Sequence, residues 1–262
     1  MERDFYADIA SIYDRMIRWD KRLKVEEPLF AALWRRTGAR SVLDASCGSG
    51  RHLLLFARQG LRATGADASP AMLELAREQL AALPEPQRPP LIQSTWADLP
   101  STLGAERFDA VLCLGNSIPY VTDPQALSAS LGGLASRVAP GGVLLIQFKN
   151  FARMRARGER YLPVSNVLDP ATGAEFVGVR QYEWREATVD FNVILLRRER
   201  ADPAAQWTLR HWSTPLATYR ARDVAAPLEA LGAQVRLYGS LALEPYDEWT
   251  SEDVVLWAAT PA

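Results

Sequence analysis

The sequence holds few residues with strong chemistry of their own. Its 262 residues include only two cysteines, Cys47 and Cys113, and only two histidines. A chain this poor in cysteine builds no disulfide framework, so we expect reduced thiols and a cytoplasmic location. No apolar run approaches the roughly 20 residues of a membrane span, and the charged N-terminus leads into no signal-peptide pattern. We therefore expect no membrane partner.

An excess of either charge is also missing. Lysine and arginine number 30 against 31 aspartate and glutamate residues, which gives a formal net charge of −1. A surface that binds nucleic acid needs a basic excess to neutralise phosphates, so this balance argues against a nucleic-acid partner. Hydrophobic residues make up 48% of the chain, and a globular chain of this length can bury a substantial core.

What is present is a regular alternation of elements. After a helical pattern over residues 5–36, strands are expected at 41–44, 61–65, 91–96, 108–114 and 143–148, with helices between them. Such alternation predicts a doubly wound parallel sheet. Ser69-Pro70 and Asp123-Pro124 mark two helix starts, because Ser and Asp cap helices and Pro fits the first turn.

The pattern of hydrophobic and polar residues changes after residue 150. Segments 175–184, 187–197 and 206–219 alternate with period two, which predicts an antiparallel insertion of about three strands. A helix at 223–231 and strands at 234–238 and 254–258 follow. We therefore expect an α/β fold with a mostly parallel, seven-stranded sheet. Residues 1–150 would form an N-terminal helical lid and a ligand-binding core, 151–220 an antiparallel β cap, and 221–262 the completion of the core sheet.

The first strand runs into a glycine-bearing loop, VLDASCGSG, at residues 42–50. Parallel sheets bind ligands at the carboxyl ends of their strands, where glycine lets the backbone approach. Asp67 ends the second strand 23 residues after Asp44, where a carboxylate accepts hydrogen bonds from ribose hydroxyls. Residues 51–53 lack the third glycine of a dinucleotide motif. The loop therefore favours a sulfonium nucleoside, and Asp44 suits an ammonium group on it.

Several segments together resemble class I S-adenosylmethionine-dependent methyltransferases, and within them the glycine and glycine/sarcosine N-methyltransferases. The likeness spans residues 6–151 and is carried by Tyr13-Asp14 with Trp19 and Arg22, and by VLDASCGSG, GADASPAML, CLGNSIPYV and QFKNF. The resemblance implies a Rossmann-like methyltransferase that uses S-adenosylmethionine, releases S-adenosylhomocysteine and needs no metal. Its partner would be a small-molecule acceptor. Because this family can exchange N-terminal segments between subunits, a homo-oligomer is left open.

The resemblance also implies contacts with the cofactor. Arg22 would hold the methionine carboxylate, Asp44 would lie near the ammonium group and Asp67 would bind the ribose. Leu114 would offer its backbone carbonyl to the amino group. The other implied positions lie in the lid, the glycine loop and the adenine frame: Tyr13, Trp19, Ala45, Gly48, Gly50, Ala68, Thr95 and Trp96.

The acceptor side is less specific. The family places Arg-Asn-Tyr after the fifth strand, and its arginine binds the substrate carboxylate; here residues 149–151 are Lys-Asn-Phe. Lysine keeps the charge but loses the two-pronged fork, so the acceptor stays open between a glycine-like amine and another amine metabolite. Asn116, Tyr120 and His211 are the candidate catalytic residues. The candidate substrate contacts are Asn116, Lys149, Phe191 and Arg210.

Four alternatives remain at this point. One is methyl transfer to oxygen or carbon, and another is a non-catalytic domain that only binds the sulfonium cofactor. A nicotinamide dehydrogenase is opposed by the missing glycine. Nucleic-acid methylation is suggested faintly by Asn116-Ser117-Ile118-Pro119-Tyr120, which is similar to an Asn-Pro-Pro-Tyr motif, but the near-neutral charge opposes it.

Overall fold

The computed structural model describes residues 6, 10, 14, 17, 19–169, 172–199 and 205–261. In chain order the strands are β1 (Ser41–Asp44), β2 (Arg62–Asp67), β3 (Leu91–Gln93), β4 (Phe108–Cys113), β5 (Val138–Lys149), β6 (Ser165–Leu168), β7 (Ala174–Trp184), β8 (Thr188–Glu199), β9 (Thr208–Ala217), β10 (Gln234–Tyr238) and β11 (Asp253–Ala259). The helices are α1 (Trp19–Thr37), α2 (Arg51–Arg58), α3 (Pro70–Leu80), α4 (Leu99–Leu103), α5 (Pro124–Ser136), α6 (Phe151–Ala156) and α7 (Ala221–Ala230). Tyr13 lies outside the described residues.

Seven strands form the main sheet in the order β10-β11-β5-β4-β1-β2-β3. All neighbouring pairs are parallel except the two that involve β11. The strand order reverses between β1 and β4, so the carboxyl ends of these strands diverge into a crevice beside the glycine loop. Ligands bind at such a switch point. The predicted α/β class and the seven-stranded sheet are confirmed.

Two apolar layers bury the two faces of this sheet. Along β1, Val42 packs into one layer and Leu43 into the other, as expected for a strand covered by helices on both sides. Leu127, Leu131 and Leu134 form the expected buried stripe of α5. Val138 continues the helical spacing of these leucines but begins β5.

Side-chain caps fix the starts of two helices at the sheet edge. The Ser69 hydroxyl accepts a hydrogen bond from the backbone N–H of Met72, and the Asp123 carboxylate accepts one from Ala126, at 3.5 and 2.7 Å. Proline follows each cap at the first helical position. Both helix starts that the sequence predicts are therefore present.

The inserted antiparallel sheet has four strands, in the order β6-β7-β8-β9, rather than about three. The extra strand, β6, has only four residues, Ser-Asn-Val-Leu, and their hydropathy does not alternate, so no period-two signal marks this strand in the sequence. The apolar face of this sheet packs against Met72, Tyr120 and Phe151, which follow β2, β4 and β5 respectively. The second sheet therefore lies over the carboxyl-end edge of the first. No helix among the described ranges is long and apolar enough to cross a membrane.

Candidate functional site

The glycine loop and the carboxylate after β2 are joined directly. Asp67 accepts hydrogen bonds from the backbone N–H groups of Gly48 and Ser69, each at 2.9 Å. Gly48 and Gly50 have φ of 50° and 77°, in the left-handed region that glycine adopts without a steric penalty. The structure therefore joins the glycine loop to Asp67 through Gly48.

The loop after β3 closes the same crevice from the other side. The indole Nε1 of Trp96 donates a 2.6 Å hydrogen bond to the carbonyl oxygen of Ala45 in the glycine loop. Thr95 is exposed, and its hydroxyl donates to Asp98 at 2.6 Å within the turn that precedes α4. Ala68 is exposed immediately after Asp67. Trp96, Ala45 and Ala68 thus border one crevice, although β3 ends at Gln93 rather than at residue 96.

The first described turn of α1 lies above the end of β4. The Arg22 guanidinium packs over the Trp19 ring, 4.7 Å from its centroid, and a Cβ placed on Gly115 would lie 3.3 Å from an Arg22 amino nitrogen. The Leu114 carbonyl accepts hydrogen bonds from Ser46 and Ser117 hydroxyls at 3.2 and 2.8 Å, so both of its lone pairs are engaged. Arg22 and Trp19 thus lie together above the end of β4, next to Gly115.

Asp14 forms hydrogen bonds with the first residue of α1, with the glycine loop and with the first residue of α2. Its carboxylate accepts hydrogen bonds from the Trp19 indole at 2.9 Å, the Ser49 hydroxyl at 2.5 Å and Arg51 Nε at 2.8 Å. The sequence motif contained Asp14, but no role followed from it, because its partners lie 35 and 37 residues further along the chain.

A buried chain of charged groups lies beneath the loop. Glu26 Oε2 is 2.7 Å from Nε2 of His52, and Nδ1 of His52 is 3.5 Å from Oδ2 of Asp44. Glu26 Oε1 also accepts a 2.8 Å hydrogen bond from Arg22 Nε. Within the described part of the chain, Asp44 Oδ2 is buried and has no hydrogen-bond donor. Sequence reasoning gave His52 a structural role and Glu26 none.

Burial and neighbouring charges shift the pKa values of His52 and Glu26 in opposite directions. Burial alone would lower the pKa of His52, but its interactions with the Asp44 and Glu26 carboxylates outweigh burial, so the pKa is raised. Burial alone would raise the pKa of Glu26, but His52 and Arg22 outweigh it, so that pKa is lowered. Both shifts favour the charged forms, which are the carboxylate of Glu26 and the imidazolium of His52.

On the acceptor side, Asn116 has a left-handed backbone with φ of 65°. Its side-chain oxygen accepts a 2.8 Å hydrogen bond from the backbone N–H of Lys149. Non-glycine residues rarely adopt this conformation, and such outliers concentrate at functional sites. Tyr120 lies in the next turn, its ring centroid 5.3 Å from that of Tyr6, and packs with Phe191 of the second sheet. Tyr120 and Phe191 thus pack against the same buried clusters, close in sequence to the turn that holds Asn116.

Of the remaining predicted acceptor residues, Lys149 and His211 are placed differently, whereas Arg210 lies on the Phe191 face of the second sheet. The Lys149 ammonium lies 2.8 Å from a carboxylate oxygen of Asp253, which neutralises its charge. His211 is exposed and pairs with Asn192 at 2.9 Å. Because neighbouring strand residues point to opposite faces, His211 faces away from the side of Phe191. Arg210 is exposed opposite Leu195. The structure does not bring His211 or the Lys149 charge to the crevice.

The remaining chemistry-bearing groups give no second centre. The described residues contain no cluster of three or more His, Cys, Asp or Glu side chains that could hold a metal ion. Burial raises the pKa of both the Cys47 and the Cys113 thiols, so neither is poised as a thiolate.

Comparison with known proteins agrees with this geometry. Residues 42–142 match the family model described as a methyltransferase domain. A glycine/sarcosine N-methyltransferase of Parasynechococcus marenigrum (strain WH8102) is 31% identical over 157 residues, which cover 60% of this chain and 55% of that protein. The chain therefore aligns with only about half the length of this curated relative. The class I methyltransferase resemblance, carried by the motifs, is confirmed.

Solved structures match over nearly the whole chain. An S-adenosylmethionine-dependent methyltransferase from Clostridium acetobutylicum superimposes with a TM-score of 0.77 at 16% identity, covering 98% of this chain and 99% of that one. The sugar N-methyltransferase KedS8 from Streptoalloteichus gives 0.72 at 23% identity, covering 96% and 92%. Both proteins share the fold of this chain, so the Rossmann-like methyltransferase architecture is confirmed.

Proposed function

We propose that this protein transfers the methyl group of S-adenosylmethionine to the nitrogen of a small-molecule amine. The observation that carries the proposal is the arrangement around the glycine loop. Asp67 is fixed beside Gly48, Asp44 presents a buried oxygen without a donor in the described chain, and Arg22 lies over the bare backbone of Gly115. A nucleoside that carries a zwitterionic amino-acid end matches these three features.

Each part of the site has a role in holding the cofactor. Arg22 would bind its carboxylate, Asp44 its ammonium group and Asp67 its ribose hydroxyls. Trp96 and the exposed Ala68 and Thr95 would frame the adenine, and Trp19 would cover the amino-acid end. In this proposal residues 1–150 and 221–262 form the cofactor domain, and residues 151–220 form the cap over the acceptor.

The cofactor itself supplies an activated methyl group on its sulfonium. The protein therefore needs chiefly to align the acceptor and exclude water, which together contribute several kcal/mol. Asn116, held by the Lys149 backbone, would orient the acceptor, while Tyr120 and Phe191 would keep the crevice dry.

The positions of the two histidines favour nitrogen as the nucleophile. His52 lies beneath the glycine loop between two carboxylates, and His211 faces away from the Phe191 side of the second sheet. Neither supplies a base to the acceptor side, and a neutral amine needs no strong base at the transfer step. The Lys149 ammonium is paired with Asp253. This pairing favours an amine acceptor that needs no contact between its own carboxylate and Lys149. The glycine/sarcosine and sugar N-methyltransferases found above act on amines by their names.

Calorimetric titration with S-adenosylhomocysteine tests the cofactor site. Asp67→Asn keeps the side-chain shape but removes the charge, and it should weaken binding about tenfold or more. Asp123→Asn is the matched control, because Asn also caps helices and Asp123 is exposed at the start of α5. Equal affinity of both variants and the unaltered protein would refute the assignment of Asp67.

A labelled-methyl transfer screen tests the reaction. Amino sugars, amino acids, other small amines and phenols are offered separately with S-adenosylmethionine. We expect label on an amine. Label on a phenol only would point to oxygen, and cofactor binding with no transfer to any acceptor would favour a non-catalytic binding domain.

A further inference from the structure

A continuous set of charged side chains connects helix α1 with the floor of the site. Arg22 and Glu26 lie one turn apart on α1, His52 lies in the first turn of α2, and Asp44 ends β1. Three successive contacts of 2.8, 2.7 and 3.5 Å join them in the order Arg22, Glu26, His52, Asp44. Glu26, His52 and Asp44 are 2%, 4% and 0% exposed.

The stability of the fold does not explain why these charged side chains lie together in the interior. Removing charges from water costs several kcal/mol per ion, and a buried ion pair is often no more stable than apolar residues of similar volume. Aromatic rings already surround the site: His52 contacts Trp19, Phe30 and Phe56 at centroid distances of 5.4, 5.4 and 6.0 Å. An apolar residue at position 52 would have had suitable neighbours.

The two ends of the set carry opposite charges. At one end of the set, the Arg22 guanidinium lies close to Gly115. At the other end, Asp44 Oδ2 is buried and has no hydrogen bond among the described residues. A zwitterionic α-amino-acid group, as in S-adenosylmethionine, needs a cation and an anion at such a separation. The two inner members, Glu26 and His52, have no direct part in binding that group.

We propose that Glu26 and His52 are positioning residues that hold Arg22 and Asp44 at the separation required by the amino-acid end of the cofactor. The inference rests on the proposed function and concerns only that end of the ligand. His52 lies 2.7 Å from Glu26 and 3.5 Å from Asp44, so from the first turn of α2 it links α1 to the end of β1. Arg22, Glu26 and Asp44 are the charged groups that face it among the described residues.

The test compares two ligands that differ only at the amino-acid end. S-adenosylhomocysteine carries the zwitterion, whereas 5′-methylthioadenosine retains the adenosine and the thioether but lacks it. Both are titrated calorimetrically into the unaltered protein, Glu26→Gln and His52→Gln. Glu74→Gln is the matched control, because Glu74 forms an exposed ion pair with Arg77 on α3.

We expect each inner variant to lose about tenfold or more in affinity for S-adenosylhomocysteine while the affinity for 5′-methylthioadenosine changes less than about twofold. Arg22→Lys should show the same selective loss. In the unaltered protein the preference for the zwitterionic ligand should weaken as the pH rises through the elevated pKa of His52, and in His52→Gln it should not.

The outcomes separate this inference from the proposed function. If the unaltered protein binds neither ligand, the proposed function fails. If it binds both, and the variants lose both equally, Glu26 and His52 serve only the fold and the inference is overturned. If the variants keep full affinity for S-adenosylhomocysteine, the inference is overturned while the cofactor assignment stands.

Discussion

Replacing Gly133 by alanine should disturb the contact between α5 and the loop that carries Trp96. A Cβ added at Gly133 would lie 1.9 Å from the backbone oxygen of Trp96 and 2.8 Å from its carbonyl carbon. Backbone atoms cannot rotate away as a flexible side chain can, so helix and loop must separate by about 1 Å or more. Gly132, one residue earlier on the same helix, has no atom within 4 Å of such a Cβ.

The pair of variants isolates the cost of this clash. Both gain the same helix propensity, about 1 kcal/mol from glycine to alanine. Overpacking costs about 1–3 kcal/mol, so Gly133→Ala should be less stable than Gly132→Ala by that amount. In a protein of this size each kcal/mol shifts the melting temperature by about 2–4 °C.

Thermal unfolding of the two variants measures the difference, and calorimetry with S-adenosylhomocysteine measures its consequence. Gly133→Ala should also bind the cofactor more weakly, because the displaced loop carries the Trp96 indole away from the Ala45 carbonyl, 2.6 Å distant. Equal melting temperatures and equal affinities for the two variants would refute this reasoning.

Two further predictions concern the histidines. Because the folded-state pKa of His52 is raised above 6.5, its contribution to stability is complete below that pH and is lost as the pH rises through the folded-state pKa. Urea unfolding at stepped pH should show this decline, and His52→Gln should remove it; an unchanged pH dependence in the variant would contradict the assignment. His211→Ala should leave methyl transfer unchanged, because His211 faces away from the Phe191 side of the second sheet. A large loss of kcat would show that the His211 face of the second sheet contributes to catalysis, and would contradict this prediction.

The arrangement of Asp44, the glycine loop and Asp67 was predictable because its signals are local. The strand that ends at Asp44, the glycines after it and the cap at Ser69 each lie within a few residues of the groups they position. Parallel strand pairing then brings the ends of β1 and β2 together without further information. The spacing from Asp44 to Asp67 was therefore enough to predict that these two residues lie near each other at the ends of adjacent strands.

The rest depends on contacts between distant elements. Glu26 stands in the charged segment Lys24-Val25-Glu26-Glu27, and nothing in that segment shows that one of its carboxylates is buried against His52. For β9 the period-two pattern separates Arg210 and Trp212 from His211, but it does not show which set faces the core. That choice is made by Phe191 and its neighbours packing on Tyr120, across about 70 residues of chain.

The same physics that makes the Glu26–His52 pair costly explains why it is informative. A buried imidazolium between two carboxylates contributes little net stability relative to apolar residues, but removing one partner costs stability whatever the role of the pair, because it leaves a buried charge unpaired. The melting temperature therefore does not report the alignment role of the pair. That role should instead appear when a ligand brings a carboxylate to Arg22 and an ammonium group to Asp44, because only then does their separation determine the binding energy. A pair retained for stability would weaken folding and both ligands alike; a pair retained for alignment should discriminate between the ligand with the zwitterion and the ligand without it.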